Sequence, residues 1–415
     1  MNDVWDVVVI GGGPAGMMSA GVAGALGLKV LLLEKNPTLG KKLRITGGGR
    51  CNITNATFDN RTLLANYKEA DKFLFSAFDQ HSVKDTLDFF NQKGLLIKTE
   101  AENRVFPASD RAEDVARVLE KNLIENNVVV RNNVVVKKIN TNDNQITSIE
   151  TAKGFIYAKS FILATGGTSR PETGSTGDGY KWLREIGHTV NTPTPSLVPI
   201  VTKETWIQDV AGVSIQDARI LVKQDNILVT KKTGKILFTH DGLSGPAILN
   251  LSTVIGESLN YGTVTLEINI SPEHSEETLS NTLRDLCITN ANRKIKNILQ
   301  NIIPTSFTSI ILSKTNIDSD RKCNTITRSE RHELITRIRN LTVTVSHLLG
   351  PEKAIVANGG VKLTEIDFRT MSSRLYPNLY IVGDMLDIQR PSGGYSLQLC
   401  WTTGFVAGLA CERKI

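Results

Sequence analysis

The chain has 415 residues, 40% hydrophobic and 22% charged, a globular composition long enough for two domains, which excludes a disordered or low-complexity chain. Its five cysteines, Cys51, Cys287, Cys323, Cys400 and Cys411, are odd in number with no C-x-x-C pair, and its six histidines form no ligand-spaced cluster, so neither a disulfide framework nor a metal is expected. The net charge is +6, and the segment from Arg284 to Arg339, with eleven basic against five acidic residues, holds all of that excess.

Asp6 to Ile10 is a valine-rich run that meets glycine at once, the pattern of a buried parallel strand. A helix is predicted from about Pro14 to Leu26, studded with small residues, and a second strand, Lys29 to Leu33, ends in Glu34, which completes a βαβ unit. Val7 to Leu28 carries no charge, but Gly11, Gly12, Gly13 and Pro14 interrupt it and Asp3 and Asp6 precede it. This is neither a membrane span nor a signal peptide, and a cytoplasmic protein without membrane contact is expected.

Between strand and helix, Gly11, Gly13 and Gly16 spell G-x-G-x-x-G. Gly11 permits the tight turn, Gly13 lets a pyrophosphate approach the backbone, Gly16 allows close packing, and the helix N-terminus offers free N–H groups. Glu34 is placed to accept hydrogen bonds from ribose hydroxyls.

Farther on, the valine runs Val128 to Val130 and Val134 to Val136 are read as a strand pair, and Ser160 to Ala164 as a strand ending in Thr165-Gly166-Gly167, all in the same sheet system. From Thr192 the texture changes: Pro193, Pro195 and Pro199 punctuate the chain, and Ala218 to Val222 and Val264 to Ile270 alternate as antiparallel strands do. Past Ser271 the pattern is helical and basic until Gly350, Gly359 and Gly360, and Leu379 to Val382 is again a buried strand, followed by Gly383-Asp384. The expected architecture is α/β. A Rossmann-like FAD-binding domain of the glutathione-reductase type, residues 1–191 and 350–415, is interrupted by a substrate domain, 192–349, that is β-rich over 192–271 and helical and basic over 272–340.

FAD is favoured over NAD because Asp384 supplies a second carboxylate suited to a ribityl chain. No second G-x-G-x-x-G follows a strand, so NAD(P)H is expected as a transient reductant and the flavin as the group that performs hydride chemistry.

The run Arg44-Ile45-Thr46-Gly47-Gly48-Gly49-Arg50-Cys51-Asn52 resembles the signature of the bacterial YhiN-like or BaiN-like NAD(P)/FAD-dependent oxidoreductases. The resemblance continues through Phe106-Pro107-Ala108-Ser109, Gly174-Ser175-Thr176-Gly177-Asp178-Gly179-Tyr180, Thr239-His240-Asp241-Gly242-Leu243-Ser244-Gly245-Pro246 and Gly393-Gly394-Tyr395-Ser396-Leu397-Gln398, and so spans the chain. Two positions depart from it: Asp384 stands where the family more often has Glu, and Ser396 where it more often has Asn.

The resemblance implies a cofactor-binding set that adds Pro14, Ala15, Lys35, Gly48, Gly49, Cys51, Val136, Ala164, Thr165, Gly166, Gly383, Gly394 and Ser396 to the residues already named. Arg44 and Arg50, flanking three glycines, suit anions and are assigned to the pyrophosphate or the flavin edge. Three residues are candidate catalytic groups. Cys51 is a proton donor if its loop faces the flavin and otherwise a small buried filler; His240 orients substrate or acts as acid, or bonds nearby backbone; Tyr395 donates a phenol hydrogen bond, or only packs.

The family also implies the range of reactions: reduction of conjugated C=C bonds, in a bile-acid enone or in uridine of large-subunit ribosomal RNA, and oxidation of a small amine such as aminoacetone. The basic segment 284–339 suits a polyanion and tilts the expectation toward ribosomal RNA as partner; a solvated helical face with a small-molecule substrate is the plainer alternative. A non-catalytic, RNA-binding redox sensor is the remaining reading.

Overall fold

Trp5–Ile10 is the central strand of a five-stranded parallel sheet in the computed structural model, which describes residues 4–412. The order across the sheet is Leu379–Ile381, Ala158–Leu163, Trp5–Ile10, Val30–Leu33 and Val129–Arg131. Val7, Val8, Val9, Leu31, Leu32, Phe161 and Ile162 are fully buried, as strands covered on both faces require. The chain first builds toward Val30–Leu33 and later returns to the other side with Ala158–Leu163. The strand order therefore reverses beside Ile10, where doubly wound sheets open a crevice for ligands.

Helix Pro14–Ala25 leaves that reversal point with Pro14 in its first turn, a position where proline's missing N–H costs nothing. The C-terminal helix Tyr395–Glu412 lies directly on it. A Cβ on Gly404 would come 2.5 Å from the Ala15 carbonyl oxygen and one on Gly408 2.5 Å from that of Ser19, so both glycines are needed for the approach. A buried polar network ties this helix to its neighbours: Gln398 accepts from Thr54 Oγ1 at 2.6 Å and donates to Thr86 Oγ1 at 2.9 Å, and Thr86 Oγ1 contacts His81 Nε2 at 3.1 Å.

The two valine runs part company. Only Val129–Arg131 joins the parallel sheet; Val136–Asn142 forms a separate antiparallel sheet with Gln145–Thr151 and Gly154–Ile156, and Val134 and Val135 fall in the connection. The reason is local. Lys137 and Lys138 are exposed, and a register shift between Val136 and Lys138 lets Val136 and Ile139 both be buried, so this strand covers one face only.

Two compact units are present, residues 1–196 with 351–415, and residues 197–350. Residues 192–196 belong to the first, because Val190–Ser196 pairs antiparallel with Val356–Val361. In the second unit, six strands close a barrel in the order Ile200–Thr202, Gly242–Ser244, Ile227–Phe238, Ser214–Gln224, Val264–Ile268 and Leu341–Leu348. The division at residue 271 is thus too simple: the closing strand follows the helical segment, and helix Pro246–Leu259, whose Ile248, Leu251 and Ile255 are buried, lies inside the span read as β-rich. The basic segment contains helices Glu276–Thr289, Ile295–Leu299, Thr308–Lys314 and Arg328–Arg339, the last with a capping box between Thr327 and Glu330. No helix among the described residues is long and apolar enough to cross a membrane, and Asp3 lies outside the described residues.

Candidate functional site

Above the carboxyl ends of the parallel strands, the first unit has a cleft with about 1190 Å³ of empty space, lined by the glycine turn, the ends of the flanking strands and the first turn of the C-terminal helix.

The glycine turn is built as the motif requires. Gly11 has φ +105°, and a Cβ there would lie 2.5 Å from the Ala164 carbonyl oxygen. At Gly13, by contrast, a Cβ would meet no protein atom within 4 Å. The turn presents open backbone and a helix N-terminus to the cleft, the donor set for a pyrophosphate.

At the end formed by Val30–Leu33, Glu34 is buried and heavily used. Its Oε2 accepts from the Gly12 N–H at 2.7 Å and its Oε1 from the Asn36 N–H at 2.8 Å and Nδ2 at 2.7 Å. A carboxylate offers about four acceptor positions, so one remains for a ribose hydroxyl. Lys35 is turned aside: its Nζ donates to Thr176 Oγ1 at 2.6 Å and to Asp178 Oδ2 at 2.8 Å, closing the loop 173–178 over this end. Burial opposes ionisation of Asp178, but Lys35 and Thr176 outweigh it and hold its pKa below the usual range.

On the other side of the glycine turn stand Gly383, Asp384 and Ser396. Asp384 Oδ2 accepts from Lys42 Nζ at 3.2 Å, and its Oδ1 accepts from the Arg390 guanidinium. Burial would raise the Asp384 pKa, but Arg390 and Lys42 reverse the effect, so the group is a carboxylate. The order along the cleft is therefore carboxylate, glycine turn with helix N-terminus, carboxylate, which fits adenosine ribose, pyrophosphate and ribityl chain in turn. Val136, Ala164, Thr165 and Gly166 also line the cleft.

Other expected residues lie elsewhere. Arg44 is outside the cleft because Glu113 and Glu120 hold it, the latter by a 2.7 Å bond from Nη2. Arg50 is outside for the same reason: it is paired with Glu100 and Asp110 and stacks on Phe106 at 4.1 Å. Gly48 is exposed and Gly49 half-buried, both with positive φ, and neither lines the cleft; Thr46 is the residue of this loop that does. Gly16 and Gly394 act from behind, as close-approach positions: a Cβ on Gly394 would lie 2.3 Å from the Thr54 carbonyl carbon.

Of the three catalytic candidates, Cys51 and Tyr395 belong to the first unit and His240 to the second. Cys51 is fully buried in the core with φ +61°, and burial pushes its thiol up to about 12 despite a bond to Thr46, so the filler reading replaces the acid. His240 is exposed on the second unit. Tyr395 is half-buried, edge-on to Tyr67 with ring centroids 5.9 Å apart, and its neighbour Ser396 reaches the cleft.

Sequence reasoning missed Gly12, Asn36, Lys42 and Arg390. Gly12 was the unconstrained position of the motif, yet a Cβ there would come 2.3 Å from Leu39 Cδ2. Lys42 is one of three cations in four residues, and only tertiary structure shows which one turns inward.

Residues 5–410 match the family described as HI0933-like protein Rossmann domain. Over 98% of both chains the protein is 29% identical to a 3-dehydro-bile acid delta(4,6)-reductase of Clostridium scindens, and it is 28% identical to the ribosomal RNA dihydrouridine synthase of Escherichia coli over 99% of this chain and 98% of that one. The fold is shared with 3-ketosteroid-delta4-(5alpha)-dehydrogenase from Rhodococcus jostii RHA1, with a TM-score of 0.56 at 12% identity over 99% of this chain and 97% of that one.

Proposed function

The chain belongs to the HI0933-like family and is an FAD-dependent oxidoreductase, and from that premise we propose that it is an NAD(P)H-dependent reductase of a C=C bond conjugated to a carbonyl, with uridine in large-subunit ribosomal RNA as its first substrate. The observation that carries this reading is the full-length similarity to two proteins named for such reductions, one of a bile acid and one of ribosomal RNA. The two share one chemistry: hydride goes to the carbon β to a carbonyl, negative charge moves onto the carbonyl oxygen, and the α carbon takes a proton.

When bound, FAD supplies that hydride, received from an NAD(P)H that visits without a dinucleotide domain of its own. The chain's residues do the rest. The glycine turn and helix N-terminus would hold the pyrophosphate, Glu34 the adenosine ribose, and Asp384 with Ser396 the ribityl hydroxyls, all of which line the cleft. Tyr395 is the proton-donor candidate beside the cleft, and burial raises its pKa, which keeps the phenol protonated.

RNA contact is assigned to the part of the basic segment that is free to make it. Arg284, Lys294, Lys296, Arg321, Arg337 and Arg339 are in ion pairs. Arg293, Lys322 and Arg328 are exposed and in none among the described residues, and an antiparallel bridge between Lys294 and Lys322 joins the two backbone segments that carry Arg293 and Lys322. With ribosomal RNA as substrate, the proposal includes a cytoplasmic location.

Nucleoside mass spectrometry of ribosomal RNA from cells with and without the gene tests the proposal. Dihydrouridine that disappears on deletion and returns with the gene supports it. Unchanged RNA, together with peroxide release on small amines, would replace it with an amine oxidase.

A further inference from the structure

Arg390 is a charge that a dinucleotide fold does not call for. It lies in the loop between Asp384 and helix Tyr395–Glu412, with its side chain 1% exposed. Burying a guanidinium costs several kcal/mol unless its donors are satisfied. Here they are: Nη2 donates to Asp384 Oδ1, Nε to Ser396 Oγ at 3.0 Å, and Nη1 to the Ile388 carbonyl at 2.6 Å.

Asp384 and Ser396 line the cleft, whereas Arg390 stands behind them and does not. The second Asp384 oxygen is held by Lys42, which also donates to Ser169 Oγ at 2.6 Å, and Ser169 donates in turn to the Ile355 carbonyl at 3.2 Å. The carboxylate is thus fixed from both sides. Two cations and one anion leave this wall with one surplus positive charge, next to the helix N-terminus that begins at Tyr395.

We propose that Arg390 is a positioning residue for the flavin half of the cleft, which through Asp384 and Ser396 sets the direction of the hydroxyl-binding groups and the charge that the cofactor meets. It does not line the cleft itself. The inference rests on FAD binding and not on the choice of substrate, so it stands or falls separately from the RNA assignment.

The test uses purified holoprotein of R390M, D384N, the double variant D384N/R390M and R390K, with FAD dissociation constants from flavin fluorescence and midpoint potentials from dye equilibration. R390M removes a positive charge and lowers the potential, and it weakens FAD binding at least tenfold. D384N removes a negative charge and raises the potential. In the double variant the two shifts cancel and the potential returns to the wild-type value, while R390K keeps the charge and therefore the potential but loses affinity with the lost hydrogen bonds.

A residue that merely supports the fold would not give opposite shifts that cancel. R390M with wild-type affinity and potential overturns the proposal, as does a double variant shifted further than R390M in the same direction. Should R390M fail to hold FAD, R390K and the double variant still decide, because replacing both partners of a buried pair is better tolerated than removing one. Loss of the fold in the double variant as well would identify Arg390 as structural support and reject the positioning role.

Discussion

A Cβ built on Gly16 would lie 1.9 Å from the carbonyl oxygen of Gly11, so the glycine turn and the first turn of its helix touch with no room for a methyl group. Gly16→Ala is expected to cost about 3 kcal/mol or more, because backbone must move on both sides. Gly13→Ala separates structure from binding. Gly13 has φ −80°, which alanine adopts freely, and open space at its Cβ. Its thermal stability without FAD should stay within about 0.5 kcal/mol of wild type, while FAD affinity, read by fluorescence quenching, falls at least tenfold. Wild-type affinity in Gly13→Ala would mean that the pyrophosphate does not approach here.

Lys42 and Arg44 are two residues apart and should behave in opposite ways. Lys42→Met removes a cation from the cleft wall and is expected to weaken FAD binding about tenfold, equivalent to about 1.4 kcal/mol. Arg44→Met leaves Glu120 without its partner and Glu113 with only Arg117, at 3.5 Å. Because these groups are part-exposed, about 1 kcal/mol of stability is lost, with no change in the FAD dissociation constant.

Cys51→Ala tests the buried thiol. The variant should lose about 1–2 kcal/mol for the vacated volume and keep its kcat in the reductase assay. A fall in kcat of a hundredfold with FAD still bound would restore Cys51 as the acid.

These contrasts trace what was legible in the chain. Strand, glycine turn, helix and Glu34 could be read because each depends on neighbours within thirty or so residues and on rules of period and sterics. The partners of Arg44 were not, since nothing near it in sequence shows that Glu113 and Glu120 will face it. Barrel closure was hidden for a similar reason: Leu341–Leu348 pairs with Val264–Ile268 across the whole helical segment. Helix Pro246–Leu259 is a different case. The spacing of Ile248, Leu251 and Ile255 was a helical signal, passed over amid flanking strands.

His81 should give the fold an acid limit. It is 3% exposed, stacked on Phe405 with ring centroids 4.4 Å apart, and burial lowers its pKa from 6.5 to about 4. The folded state therefore keeps the ring neutral while the unfolded chain takes up a proton below pH 6.5. Stability is full above 6.5 and declines as pH falls toward 4, by about 3 kcal/mol in all. Thermal melts from pH 7 to 4 should fall more steeply for wild type than for His81→Gln; equal slopes would show that other groups set the limit.

Charge reversal distinguishes free from paired cations in the basic segment. The double variant R293E/K322E should weaken binding of a ribosomal RNA fragment and flatten its salt dependence by about one unit of slope for each phosphate no longer neutralised. Reversal of Arg284 and Arg337, which already face Asp285 and Glu333, should do much less. If the two pairs of changes are equivalent, RNA is held by net charge alone and not at Arg293 and Lys322.

The contact of Gly404 and Gly408 with Ala15 and Ser19 also imposes an order on synthesis. The pyrophosphate-binding turn emerges from the ribosome first, but the helix that covers its back, and the strand Leu379–Ile381 that carries Asp384 into place, are translated nearly four hundred residues later. A nascent chain thus exposes one half of its nucleotide site, and the apolar back of the helix beside it, for most of its elongation. Cofactor loading is confined to the end of translation, and FAD captured at that moment acts as the pin that closes the first unit.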